Sequence, residues 1–191
     1  YANRLYLNPA FAGTANCPRF TLNYRNQWPG IDNSFITSSA SFDKQVDAIN
    51  GGLGVQVLTD RAGEGVLNTT QASFIYSYQV KINRKFSLRA GFQATAVQKS
   101  ININNLRFGD MIDARRGVVY QTQEQINSDN NIYPDFSFGM MGFSEKFYFG
   151  AAVYHLTQPD EGFIDVAILP RRYTLHFGAV LPWGIRNEDM S

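Results

Sequence analysis

His155 and His176 are the only histidines in the chain, so any acid–base or nucleophilic chemistry has to be weighed on them first. A histidine paired with a serine on an outer wall could run the hydrolysis that barrel phospholipases perform. Neither histidine sits in a nucleophile motif such as G-x-S-x-G. Serine and histidine are also common enough on strands that their co-occurrence defines no site. Both are read as structural residues near strand ends. The His, Asp and Glu positions show no metal-ligand spacing, and a single cysteine, Cys17, cannot build a zinc site. Asp110 and Asp113 are too few for a carboxylate cluster, so calcium there has no support. Gly52-Leu53-Gly54 lacks the later glycine and the helix of a nucleotide fingerprint. On the inner face of a sheet, such glycines make room where side chains or a plug approach. The chain is therefore expected to be non-enzymatic, without catalytic residue, metal or cofactor.

Composition narrows the class further. With 191 residues the chain is long enough for one domain with a sizeable core. Seventeen basic and sixteen acidic residues give a net charge of +1, so no nucleic-acid partner is expected. Charged residues are 17% of the chain, low for a surface that meets only water. Mean hydropathy is −0.25 and no run of 18 apolar residues exists, which excludes a helical membrane protein. One cysteine excludes a disulfide scaffold. Residues 1–16 offer no apolar signal stretch for lipid attachment at Cys17, which is read as a buried or loop thiol. The start at Tyr1 is read as that of a processed or partly ordered mature chain.

The elements that must carry any function are strands. In Phe86-Ser87-Leu88-Arg89-Ala90-Gly91-Phe92-Gln93-Ala94-Thr95-Ala96 every even position is apolar and every odd one is polar or glycine. A period of two over eleven residues marks a strand with one oily and one wet face. Soluble strands run about five or six residues, whereas a bilayer crossing needs about 9–11. Strands of the same character are expected at 19–28, 35–42, 52–58, 66–80, 133–143, 147–156 and 172–182. Residues 43–50 and 59–63 read as polar connections. Inward polar positions include Arg25, Gln71, Arg89, Gln93 and Thr95. Tyr76, Tyr78, Phe147 and Tyr148 are placed in an aromatic girdle. The fold class is all-β, an antiparallel transmembrane β-barrel of the outer membrane. Residues 1–191 form a single barrel domain, and 1–16 form a periplasmic or lumenal segment in which Pro9 holds Asn8 extended.

The connections after the fifth and seventh strands are long, and those after the fourth and sixth are short. Barrels keep short turns in the periplasm and long loops outside. Odd-numbered strands should therefore run outward from a periplasmic N-terminus.

Several segments together resemble the PorP/SprF family of Bacteroidetes outer-membrane proteins. They are Tyr6-Leu7-Asn8-Pro9-Ala10-Phe11-Ala12-Gly13, Tyr24-Arg25-Asn26-Gln27-Trp28, Ser39-Ala40-Ser41-Phe42-Asp43, Gly52-Leu53-Gly54 and Asp60-Arg61-Ala62-Gly63. Tyr76-Ser77-Tyr78, Gly150 with His155-Leu156, and Tyr173-Thr174-Leu175-His176-Phe177-Gly178 complete the set. No one segment is specific, but their order and spacing span nearly the whole chain. The resemblance implies a type IX secretion and gliding-motility component without catalytic activity. It implies a role in anchoring or displaying secreted surface proteins or adhesins, with periplasmic and surface lipoproteins as partners and outer-membrane lipid around it. It also implies a barrel of about fourteen strands. The eight read here would then lack C-terminal partners, and the eighth should not pair with the first. The rival functions are a porin-like solute channel or transporter, and a soluble β-sandwich with a binding role. Arg107, Phe108, Tyr120 and Phe163, in the two long loops, are the candidate partner-binding residues.

Overall fold

The computed structural model of the chain describes residues 3–15, 17–30, 35–63, 65–83, 85–102, 129–163 and 165–179, with the backbone of 112–113 and 117–118. After a short N-terminal segment come strands β1 (Arg19–Gln27), β2 (Phe35–Val46), β3 (Gly51–Ala62), β4 (Leu67–Lys81) and β5 (Phe86–Ile101). A small hairpin, β6 (Ile112–Asp113) and β7 (Gly117–Val118), lies in the first long connection. Then follow β8 (Asn130–Ser144), β9 (Phe147–Tyr154) and β10 (Arg172–Ala179). The eight long strands form one antiparallel meander in the order β1-β2-β3-β4-β5-β8-β9-β10, curled as part of a barrel wall.

The alternation does what it predicts, in an inverted sense. The apolar side chains are the exposed ones: Phe20, Leu22, Val55, Val57, Phe74, Phe92, Phe149 and Leu175, the last 84% accessible. The polar ones are buried: Ser41, Gln56, Ser73, Arg89, Gln93, Thr95 and Asp135. Water would drive the opposite arrangement, because each square ångström of apolar surface left wet costs about 25 cal/mol. A sheet this inverted belongs in hydrocarbon, with its polar face turned inward. The soluble β-sandwich is thereby set aside. Among the described residues no helix is long and apolar enough to cross a membrane.

Three expectations need correction. Residues 43–46 belong to β2, and residues 59–62 to β3. Both lie in continuous ladders, Asp43 opposite Gly54 and Arg19, and Asp60 opposite Thr37 and Thr69. Polar composition misleads there because cross-strand hydrogen bonds continue past the apolar band. The third correction is Tyr148. Its neighbour Phe147 points out, so period-two geometry turns Tyr148 inward, where its ring meets Phe11 edge-on at 6.1 Å. Tyr78 and Phe147 do face outward.

Among the described strands β1 and β10 are the two edges and do not pair with each other, as expected. The figure of about fourteen strands rests on the resemblance alone.

Candidate functional site

The inner face carries a seat, and the chain's own N-terminal segment occupies it. One helical turn, α1 (Arg4–Leu7), starts where the Asn3 side chain accepts the Leu5 N–H at 3.1 Å. Asn8 then breaks to extended backbone and caps a 3₁₀ turn over Pro9–Phe11, its Oδ1 accepting the Ala10 N–H at 2.8 Å. Proline at the first position suits that turn because its missing N–H would have no partner there. Leu5, Ala10, Phe11 and Ala12 are buried against Ile75 and Met141 of the sheet, forming the apolar core of the molecule.

Asn8, fully buried, is the central tie. Its Nδ2 donates to the carbonyls of Met140 and Ala151, each at 3.1 Å, on the neighbouring strands β8 and β9. The same nitrogen lies 3.0 Å from His176 Nε2 on β10. An amide nitrogen only donates and carries two hydrogens, so it serves two of these three acceptors at a time, and when it serves Nε2 the imidazole proton sits on Nδ1. The His176 ring also stacks on Phe11 at 5.2 Å. His155 thus lies just beyond the end of β9, whereas His176, read as a strand-end residue, sits in the middle of β10 opposite Gly150.

Further along, the Ala12 carbonyl accepts from Ser77 Oγ at 2.7 Å and from Arg89 Nη1 at 2.8 Å. Arg89 also donates to Gln45 and Gln79. Gly13, at φ +67°, gives its N–H to Asp43 Oδ2 at 2.8 Å. Asp43 holds Arg19 by two bonds, Nε at 2.9 Å and Nη2 at 3.0 Å. Tyr154 Oη donates to the Tyr6 carbonyl at 2.9 Å, and Arg172 stacks over both rings. Half of these eight bonds join a side chain to the backbone, and such bonds leave little trace in a sequence.

Close approach of two backbones requires glycine on the wall. A Cβ at Gly91 would strike the backbone of Pro9 and Ala10, and one at Gly52 the backbone of Ala12 and Gly13. Gly52 therefore makes room for a chain segment, one of the readings its inward position allowed. Gly91→Ala is expected to destabilise the protein by about 1–3 kcal/mol, the usual range for overpacking. Gly30→Ala, with open space around its would-be Cβ, serves as the control. Equal urea midpoints for the two variants would mean that the segment does not lie on Gly91.

A second constellation lies at the long-loop end. His155, at φ +60°, holds Asp135 Oδ2 through Nδ1 at 2.8 Å, and Thr157 reaches Asp135 Oδ1 at 3.4 Å. Beyond it, residues 157–171 are folded back on themselves. Asp160 and Ile168 form an antiparallel bridge, and Asp160 Oδ1 accepts N–H groups from Gly162 at 3.0 Å and Ala167 at 2.8 Å. Those two bonds hold the Asp160 carboxyl below its usual pKa, Gly162 contributing most. A depressed pKa favours the folded loop at neutral pH, and the advantage fades as pH falls through the folded value. Lys99 pairs with Glu161 at 3.0 Å, and Asn131 Nδ2 donates to the Asp160 carbonyl at 3.1 Å, tying the loop to β5 and β8.

Of the candidate contact residues, Phe163 is half-buried within this loop, while Arg107, Phe108 and Tyr120 lie outside the described residues. The loop's exposed large apolar side chains are instead Val166, 76% accessible, and Ile168, 61%. Sequence reasoning passed over them. Their signal is the apolar run Val166-Ala167-Ile168-Leu169 inside a polar connection. Cys17, read as a buried or loop thiol, is exposed just before β1.

No curated protein and no solved structure gives a significant match to this chain. A family model described as "Type IX secretion system membrane protein PorP/SprF" matches residues 1–187. With nearly the whole chain covered, and with its inverted antiparallel sheet in the outer membrane, the chain belongs to the PorP/SprF family of type IX secretion system membrane proteins.

Proposed function

We propose that this barrel is a non-enzymatic anchor that holds or displays a secreted surface protein or adhesin, in the service of secretion and gliding motility. Periplasmic and surface lipoproteins of the same apparatus would be its further partners. Family membership supplies the secretion system as the setting. The observation that carries the anchoring role is the loop at 157–171. It is braced by Asp160, Glu161 and Asn131, yet turns two branched aliphatic side chains, Val166 and Ile168, away from the protein. A pre-shaped loop with exposed apolar tips suits partner capture, because little ordering entropy remains to be lost on binding. The loop at 157–171 follows an odd-numbered strand, which on the barrel rule gives it the outer side.

Two changes test this. Deletion of residues 110–130, and separately Val166→Asp with Ile168→Asp, should release surface adhesins from intact cells while the barrel still assembles. Truncating a central interface residue commonly costs roughly 2 kcal/mol or more, close to a thirtyfold loss of affinity. Undiminished retention in both variants would mean the cargo is held elsewhere, at the periplasmic side or within the lumen.

A further inference from the structure

We propose that residues 3–15 are a resident plug, fixed to the inner wall at the periplasmic end, which closes the lumen to solutes. The position follows from the strand register. Asp43 and Gly52 flank the short connection between β2 and β3. Ser77 and Arg89 flank the one between β4 and β5, and Met140 and Ala151 the one between β8 and β9. All three connections lie at the end opposite the long loops, which is the periplasmic end for a barrel of this pattern. The polar layer further up the wall, Gln56, Ser73, Thr95 and Asp135 on four adjacent strands, lies beyond the segment on the outer side.

A movable gate needs few and weak ties, since it must open at little cost. This segment has the opposite character. Its polar anchors are spread over β2, β4, β5, β8, β9 and β10. The anchors on β2, β4 and β5 are buried and those on β8, β9 and β10 partly so, and each buried one would leave an unsatisfied polar group on departure. Two wall glycines are committed to its backbone. Leu5 and Phe11 bury apolar surface that an empty polar lumen would have to hydrate. A wall moulded to the segment in this way is a permanent seat. The interior then contributes rigidity, and traffic through it is no part of the protein's work. The inference stands apart from the anchoring role: conductance reads the plug, whereas surface retention reads the anchor.

The test is an engineered tether with a channel recording. An ideal Cβ at Gly54 lies 3.5 Å from Ala12 Cβ, within the range a disulfide spans, and makes ordinary contacts there. In a Cys17→Ser background, Ala12→Cys with Gly54→Cys should oxidise to a single cross-linked monomer that shows a shift on a non-reducing gel. In planar bilayers the parent and the cross-linked protein should both be silent. A protease site at residues 17–18, both exposed, lets the segment be cut and washed out after assembly. Steady current steps should then appear, and a second protein lacking residues 3–15 altogether should show the same steps. Failure of the cysteines to join would overturn the seat. Steady conductance by the cross-linked protein, or silence after removal of the segment, would overturn the closure.

Discussion

Replacing Asp43 by alanine lowers the stability of the assembled barrel by about 3–5 kcal/mol, the cost of stripping one partner from a buried ion pair. Asp43 is almost inaccessible, and three bonds converge on it: two from Arg19 and one from the Gly13 backbone. Removing the carboxylate takes two of the three hydrogen bonds of the Arg19 guanidinium, leaving the one to the Phe11 carbonyl, and leaves the buried Gly13 N–H with none. Arg19 is about a quarter exposed and can recruit some water, which puts the expected loss at the lower end. Asp43→Asn keeps an acceptor for Gly13 but loses the charge facing Arg19, so it should fall between the parent and the alanine variant. Urea unfolding of protein refolded into lipid vesicles reads all three. A loss below about 1 kcal/mol would match an exposed pair, and would mean that the segment and β1 do not depend on this contact.

How much of this was legible beforehand depends on which contacts write themselves into side-chain types. A barrel strand sees hydrocarbon on one face and polar groups on the other, so residues 86–96 and 172–179 declare their faces directly. The same pattern gives the strand order, because a meander pairs neighbours in sequence. Strand ends were less legible. Asp43 and Asp60 look like turn residues, yet one is neutralised by Arg19 and the other accepts a bond from Thr37. The docking of residues 3–15 was nearly invisible, because the wall grips carbonyls and N–H groups that every residue possesses. Only the inward glycines and Asn8 hinted at it. Val166 and Ile168 escaped notice for a different reason: no period marks a loop, and two apolar residues there look like noise until the bridge at Asp160 shows that the loop is shaped.

The second large effect is expected on the outer face. Phe92 sits near the middle of β5, opposite Phe138 and Tyr76, with its ring stacked on Phe136 at 5.8 Å. It is nearly half exposed, and its neighbours along the strand, Arg89, Gly91 and Gln93, are buried on the other side. Hydrocarbon is the one surroundings in which that arrangement is favourable. Phe92→Arg should therefore cost roughly 2–4 kcal/mol, the penalty for a guanidinium near the bilayer midplane of a barrel. Loss of the ring pair adds about a further 0.5–1.5 kcal/mol. Serine in the same place separates the two contributions, since it loses the stacking without introducing a charge. Nitroxide labels at 88, 90 and 92 supply the geometric half of the test: each should be quenched by oxygen dissolved in lipid and protected from a water-soluble relaxant. The two readouts fail together if the face is misassigned. A one-residue slip of β5 would exchange its faces, bringing Phe92 inside and Gln93 out. Arginine at 92 would then be tolerated among polar neighbours, and all three labels would answer to water.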